Sequence, residues 1–100
     1  MTGAEIRAAA AGAFVGGFAG VIRIAPEGGE AFDVDGRGAA CAIVDAAAGV
    51  APDCVWRASV ETLLRIFEGG RALESAYLSG RLGVAGDMSV MARLVLESSR

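Results

Sequence analysis

Apolar residues recur at helical spacing in several parts of the chain. An alanine-rich stretch that ends in Phe14 has one apolar face and follows a capping box over residues 2–5 (TGAE). Gly16-Gly17 is expected to end this first helix. A second helix is predicted to begin after Ser59, which caps it, and to end before Gly69-Gly70. Shorter apolar periodicities predict a helix over residues 71–78 that turns Tyr77 inward. A last helix is predicted over residues 88–97, with Asp87 as its cap and with Met88 and Met91 on its apolar face.

Apolar and polar residues alternate elsewhere, which is typical of half-buried β-strands. Cys54 and Trp56 fall on one face of such a segment, and Leu82 and Val84 fall on one face of another. The predicted strands cover residues 21–24, 31–34, 40–44, 53–58 and 81–85, and turn residues separate the first three into an antiparallel meander. The pattern therefore predicts an α+β fold: a five-stranded, mostly antiparallel sheet with helices packed on one face.

The composition is unusually apolar for a small domain. One hundred residues suffice for a single domain with a modest core, which we assign to residues 1–100. Hydrophobic residues make up 54% of the chain and the mean hydropathy is +0.51. Such a chain buries nearly all of its large apolar side chains or presents some of them to a ligand or partner. No apolar stretch reaches the roughly 18 residues of a membrane span, and we expect a soluble, cytoplasmic protein.

The charged residues argue against several classes of function. The formal net charge is −3, all nine cations are arginine, and no basic run is present. Nucleic acid is therefore not a predicted partner, and membrane contact is at most transient. Histidine is absent, so the serines lack the usual general base and a common metal ligand is missing. We predict no enzyme activity, no cofactor and no metal site.

Two further motifs are interpreted as structural. Residues 33–36 (DVDG) begin like a calcium-binding loop, but the positions where that loop needs oxygen ligands hold Arg37 and Val44. A turn is the better interpretation. Cys41 and Cys54 stand in neither a CxxC pair nor a zinc spacing, and buried free thiols are favoured over a disulfide.

The second half of the chain contains an ordered set of motifs. They are DCVWRAS at 53–59, Leu63-Leu64 followed by FEGG at 67–70, and AYLSGRLGVAGD at 76–87. This set resembles the sterol carrier protein 2-like, or nonspecific lipid-transfer, domain family. The resemblance implies that the helices and the sheet enclose a hydrophobic tunnel. It also implies binding of sterols, fatty acyl chains or isoprenoid lipids without a catalytic centre.

Apolar side chains from several elements are candidates for the wall of this tunnel. Methionine is unbranched and polarizable, so it suits a wall that adapts to varied ligands, and Tyr77 would supply a polar handle at the rim. The alternative is that these side chains pack together as a closed core. The candidate lipid-binding residues are Phe14, Leu63, Phe67, Leu73, Tyr77, Leu82, Val84, Met88, Met91 and Val95.

The predicted function is the non-catalytic intracellular binding or transfer of a hydrophobic ligand. The alternative is an accessory domain with a closed cavity that acts through protein contacts. Gly83 and Ala85 make one sheet face unusually smooth, since relatives of the resembled family often carry lysines there. A homodimer through this surface is therefore a further expectation.

Overall fold

A five-stranded sheet organises the protein, seen in a computed structural model that describes residues 3–14, 16–46, 51–69 and 71–94. The strands are β1 (Val21–Pro26), β2 (Phe32–Asp35), β3 (Ala42–Asp45), β4 (Cys54–Ala58) and β5 (Gly83–Gly86). The described helices are α1 (Gly3–Ala13), α2 (Val60–Glu68), α3 (Ala72–Leu78) and α4 (Met88–Arg93). The predicted α+β class is confirmed.

The strand order in the sheet is β3-β2-β1-β4-β5. The first three strands form the predicted antiparallel meander, with Ile22 opposite Val34 and Val34 opposite Ile43. β4 joins the other side of β1 in parallel, and β5 pairs antiparallel with β4. A mostly antiparallel sheet was expected, and β1–β4 is the one parallel pair among the described strands.

The helices pack on one face of the sheet. Every second residue of the central strands points into a common core, as the alternation predicts; on β4 these residues are Cys54, Trp56 and Ala58. Each helix adds buried side chains to the same core, namely Ile6, Ala10 and Ala13 from α1, Leu63, Ile66 and Phe67 from α2, Ala76 from α3 and Val90 from α4.

An ion pair occupies the centre of the opposite sheet face. The Asp33 side chain is only 2% exposed, and both of its carboxylate oxygens accept hydrogen bonds from the Arg23 guanidinium, at 2.8 and 3.1 Å. Asp35 on the same face accepts hydrogen bonds from Arg37, which lower the pKa of Asp35 to about 2. Both acidic side chains of the DVDG motif therefore form ion pairs with arginine side chains.

Local sequence signals set the helix starts. The Ser59 hydroxyl accepts a hydrogen bond from the Thr62 N–H at 3.1 Å, and Asp87 Oδ1 accepts one from the Ser89 N–H at 2.9 Å, so both predicted caps are confirmed. Gly86 has φ 111°, and a β-carbon there would lie 2.3 Å from the Asp53 carbonyl oxygen. Glycine is thus required where β5 meets α4.

Several element boundaries differ from the predicted ones. β1 runs on to Pro26, two residues beyond the predicted end of the first strand, and β3 and β5 begin two residues later than predicted. α1 ends at Ala13, before the glycine pair. Thr2 and residues 95–97, which the predicted first and last helices include, lie outside the described residues.

Candidate functional site

An aromatic cluster fills the middle of the core between the sheet and the helices. The Phe14 ring lies 5.7 Å from those of both Trp56 and Phe67, and 6.2 Å from that of Phe18, measured between centroids. These rings come from β4, α2 and the segment that follows α1. The geometries are tilted or edge-on, as aromatic pairs prefer.

Trp56 lies next to two half-buried apolar side chains. Its indole is fully buried, and Nε1–H donates to the Met91 Sδ on α4 at 3.1 Å. Val84 on β5 is the cross-strand partner of Trp56 on the same face. We refer to Trp56, Val84 and Met91 as the Trp56 cluster. It lies where β4, β5 and α4 meet, with one buried and two partly accessible members.

Cys54 precedes Trp56 on the same core-facing side of β4. Burial raises the pKa of the neighbouring Cys54 thiol, and the charges of Asp87 and Asp53 raise it further. The indole N–H of Trp56 acts on the same thiol in the opposite direction. Cys54 and Cys41 are both free, and Cys41, which is half-buried, donates its thiol to the Gly16 carbonyl oxygen at 3.0 Å.

The nine predicted lipid-binding residues that the structure describes fall into three groups. Four are buried in the core, namely Phe14, Leu63, Phe67 and Leu82. Three are half-buried and packed against it, namely Leu73, Val84 and Met91. Tyr77 and Met88 are exposed, and Val95 lies outside the described residues. Their contact with a ligand stays a prediction.

The inward orientation expected for Tyr77 and Met88 is wrong. Tyr77 is 47% exposed because the short α3 helix buries the preceding residue, Ala76. Met88 is 44% exposed because α4 starts at the Asp87 cap and buries Val90. At about 100° per residue, Met88 lies roughly 200° around the helix from Val90.

Val90 is a buried residue that the periodicity analysis missed. It is 1% exposed, and its methyl groups pack against Gly20, the residue before β1. The available signal was the spacing of Val90 and Leu94, which places both on one helical face. Met88 and Met91 are also spaced for a common helical face, and this second pattern competed with the one formed by Val90 and Leu94.

The sequence profile of the SCP-2 sterol transfer family matches residues 5–95. The chain belongs to this family. The match extends through the elements that form the core and includes the whole Trp56 cluster. The resemblance noted from the motifs is confirmed, and membership connects the chain with the binding or transfer of lipids or sterols.

Solved structures of sterol carrier proteins have the same fold. The UbiJ-SCP2 ubiquinone synthesis protein aligns with a TM-score of 0.61 and 20% identity over 89% of this chain and 70% of that chain. Sterol carrier protein domain 2 of Helicoverpa armigera aligns with a TM-score of 0.61 and 16% identity, over 76% and 63%. Apo sterol carrier protein 2 of Yarrowia lipolytica gives 0.56 and 16%, over 91% and 75%. A search of curated protein sequences found no match.

The described helices are short. None of them is both long and apolar enough to cross a bilayer.

Proposed function

We propose that this SCP-2 family domain binds or transfers a hydrophobic ligand, such as a sterol, a fatty acyl chain or an isoprenoid lipid, without catalysis. The observation that carries the proposal is the Trp56 cluster in a chain of this family. In this cluster, the partly accessible side chains of Val84 and Met91 lie next to the fully buried Trp56. An oily ligand that displaced them would reach the aromatic core directly.

Hydrophobic transfer is sufficient to drive such binding. Each buried methylene contributes about 0.8 kcal/mol, so about ten carbons of an acyl chain contribute about 8 kcal/mol before the costs of association. Within the described residues, the core cluster is lined by aliphatic and aromatic side chains together with Cys54. This composition favours broad acceptance of apolar chains of different shape.

The proposed wall follows the observed burial. Leu63, Phe67 and Leu82 form its deep part, and Leu73, Val84 and Met91 form its accessible part. Phe14, whose ring contacts those of Trp56 and Phe67, is assigned to the deep part as well. Tyr77 lies on the outside of α3, so its role is confined to the rim.

Lipid analysis of the purified protein tests this proposal. The protein is expressed and purified without detergent, extracted with organic solvent and analysed by mass spectrometry. A stoichiometric lipid, together with saturable binding of a fluorescent fatty acid, is expected. Protein that carries no lipid and binds none of a sterol, a fatty acid or an isoprenoid alcohol would contradict the proposal. It would then favour the alternative, a domain that acts by protein contact.

A further inference from the structure

The buried core of this protein contains a side-chain N–H donor at one described position. The core cluster consists of aliphatic residues, phenylalanines, Cys54 and Trp56, and among these described residues only Trp56 carries a nitrogen on its side chain. Trp56 is fully buried. A buried N–H without an acceptor costs about 1–3 kcal/mol, so the partner of this group matters.

The present partner of the indole is a poor acceptor. Nε1–H points at the Met91 thioether sulfur at 3.1 Å, and the same N–H acts on the Cys54 thiol. Thioethers and thiols accept hydrogen bonds weakly, whereas carbonyl, ester and hydroxyl oxygens accept them well. An oxygen atom brought to this position would therefore replace a weak hydrogen bond with a stronger one.

Met91 is placed so that it can be displaced. It is half-buried on the six-residue helix α4, and its unbranched side chain has three rotatable bonds. The side chain can swing outward without breaking any backbone hydrogen bond, which would leave the indole N–H open towards the accessible side of the Trp56 cluster.

The charges around the site distinguish between kinds of oxygen. Asp53 directly precedes β4, and the Asp87 N–H donates to the Asp53 carbonyl oxygen at 2.7 Å, so two acidic residues lie together at the end of β4 that leads to Trp56. The described core cluster contains no arginine that would compensate a second anion. An ionised headgroup would be both repelled and desolvated there, so a neutral oxygen is favoured over a carboxylate.

We propose that the Trp56 indole N–H is the headgroup-recognition donor of this site, that the Met91 sulfur occupies the place of a ligand oxygen, and that the site takes lipids with a neutral oxygen acceptor. Esters, ketones and alcohols are expected to bind more tightly than bare hydrocarbons and fatty acid anions, which still bind through their apolar chains. This inference rests on the proposed lipid-binding function and assigns its ligand class.

A matched ligand series tests the inference. Methyl hexadecanoate, hexadecane and hexadecanoate compete with a fluorescent fatty acid for the wild-type protein, for Trp56→Phe and for the control Phe67→Leu. In the wild type the ester is expected to bind about three- to tenfold more tightly than the alkane, the range given by one hydrogen bond, and also more tightly than the anion. Trp56→Phe keeps an aromatic ring but removes the donor, so the ester-to-alkane affinity ratio is expected to fall at least three- to tenfold relative to the wild type.

The control variant separates recognition from packing. Phe67→Leu removes a core ring without removing a donor, so it weakens both ligands and leaves their ratio unchanged. An ester-to-alkane ratio that is the same in the wild type and in Trp56→Phe would overturn the inference. If none of the three ligands displaces the probe from the wild type, the proposed function itself fails, which is a different result.

A measurement on the wild type alone covers the case in which Trp56→Phe does not fold. The chain contains a single tryptophan, so its indole N–H gives one unambiguous resonance in a nitrogen–proton correlation spectrum. The ester is expected to move this resonance further downfield than the alkane does. Equal shifts with both ligands would also overturn the inference.

Discussion

At the scale of single residues, two methionines on one helix make a matched pair. Met91 contacts the Trp56 indole, whereas Met88, three residues earlier, is 44% exposed. Met91→Arg places a charge beside a buried ring, and we expect it to weaken binding of a fluorescent fatty acid more than tenfold. Met88→Arg is expected to change the affinity less than twofold, because its side chain already faces solvent.

Circular dichroism and urea unfolding show whether both methionine variants remain folded. Loss of affinity in a folded Met91→Arg protein places this residue in the wall. Equal affinities of the two variants would remove Met91 from the wall and weaken the argument from the Trp56 cluster.

A second matched pair lies on β2. Asp33 is buried and holds Arg23 by two hydrogen bonds, whereas Asp35, two residues further on, holds the largely exposed Arg37. Asp33→Asn is expected to lower the free energy of unfolding by about 2 kcal/mol, because charge-assisted hydrogen bonds in a shielded place are lost. Asp35→Asn is expected to cost at most about 1 kcal/mol, as for other solvent-screened pairs.

Urea denaturation at pH 7 measures both aspartate variants. Similar losses for the two would mean that the buried pair contributes no more than the exposed one, contrary to this prediction. The comparison is informative because both residues lie on the same strand and on the same sheet face.

At the scale of elements, β5 is an edge strand that lacks the usual protection. Among the described strands it pairs with β4 alone, and its sequence GVAG contains no charge and no proline. The Asp87 N–H donates to the Asp53 carbonyl, so by the alternation of an antiparallel ladder the backbone groups of Val84 point to the open edge. The homodimer through the smooth sheet face of Gly83 and Ala85 stays a prediction, and the open edge of β5 offers a second surface along which two copies are expected to pair.

Lysine substitutions on the two edges of the sheet test this self-association. Ala85→Lys on β5 is expected to lower the apparent mass in light scattering at high concentration, because lysine blocks edge-to-edge pairing. Ala42→Lys makes the same change on β3, at the other edge and on the same face, and should leave the apparent mass unchanged. A wild-type protein that stays monomeric at the highest concentration would contradict the prediction.

Sequence patterns predicted some features of the helices and strands correctly and others not. The caps at Ser59 and Asp87 and the alternation over β4 were predictable because they depend on residues within one turn or one strand. The buried faces of α3 and α4 were not, because helices of seven and six residues offer too few apolar positions to fix a face. Tyr77 and Met88 were misplaced for this reason.

At the scale of the whole molecule, a ligand that binds only the folded state must stabilise it. A lipid present at 100 times its dissociation constant adds about 2.7 kcal/mol, which corresponds to a rise of about 10 °C or more in the melting temperature of a domain of this size. Differential scanning calorimetry with and without the lipid found by extraction measures this shift. An unchanged melting temperature at saturating lipid would argue against binding within the fold.

The sequence by itself determined the elements, their order and the family. Periodicity, caps and turn residues depend on neighbours along the chain, so the sequence alone is enough to identify them. The alternation over β4 in this way placed Cys54 and Trp56 on a common inward face. Only the tertiary structure decided which distant groups meet. The parallel pairing of β1 with β4, the Arg23–Asp33 pair at the sheet centre and the Trp56–Met91 contact across 35 residues depend on how the elements pack. The packing depends on the shapes of all the buried side chains together, and a pattern within one segment carries no information about side chains in other segments.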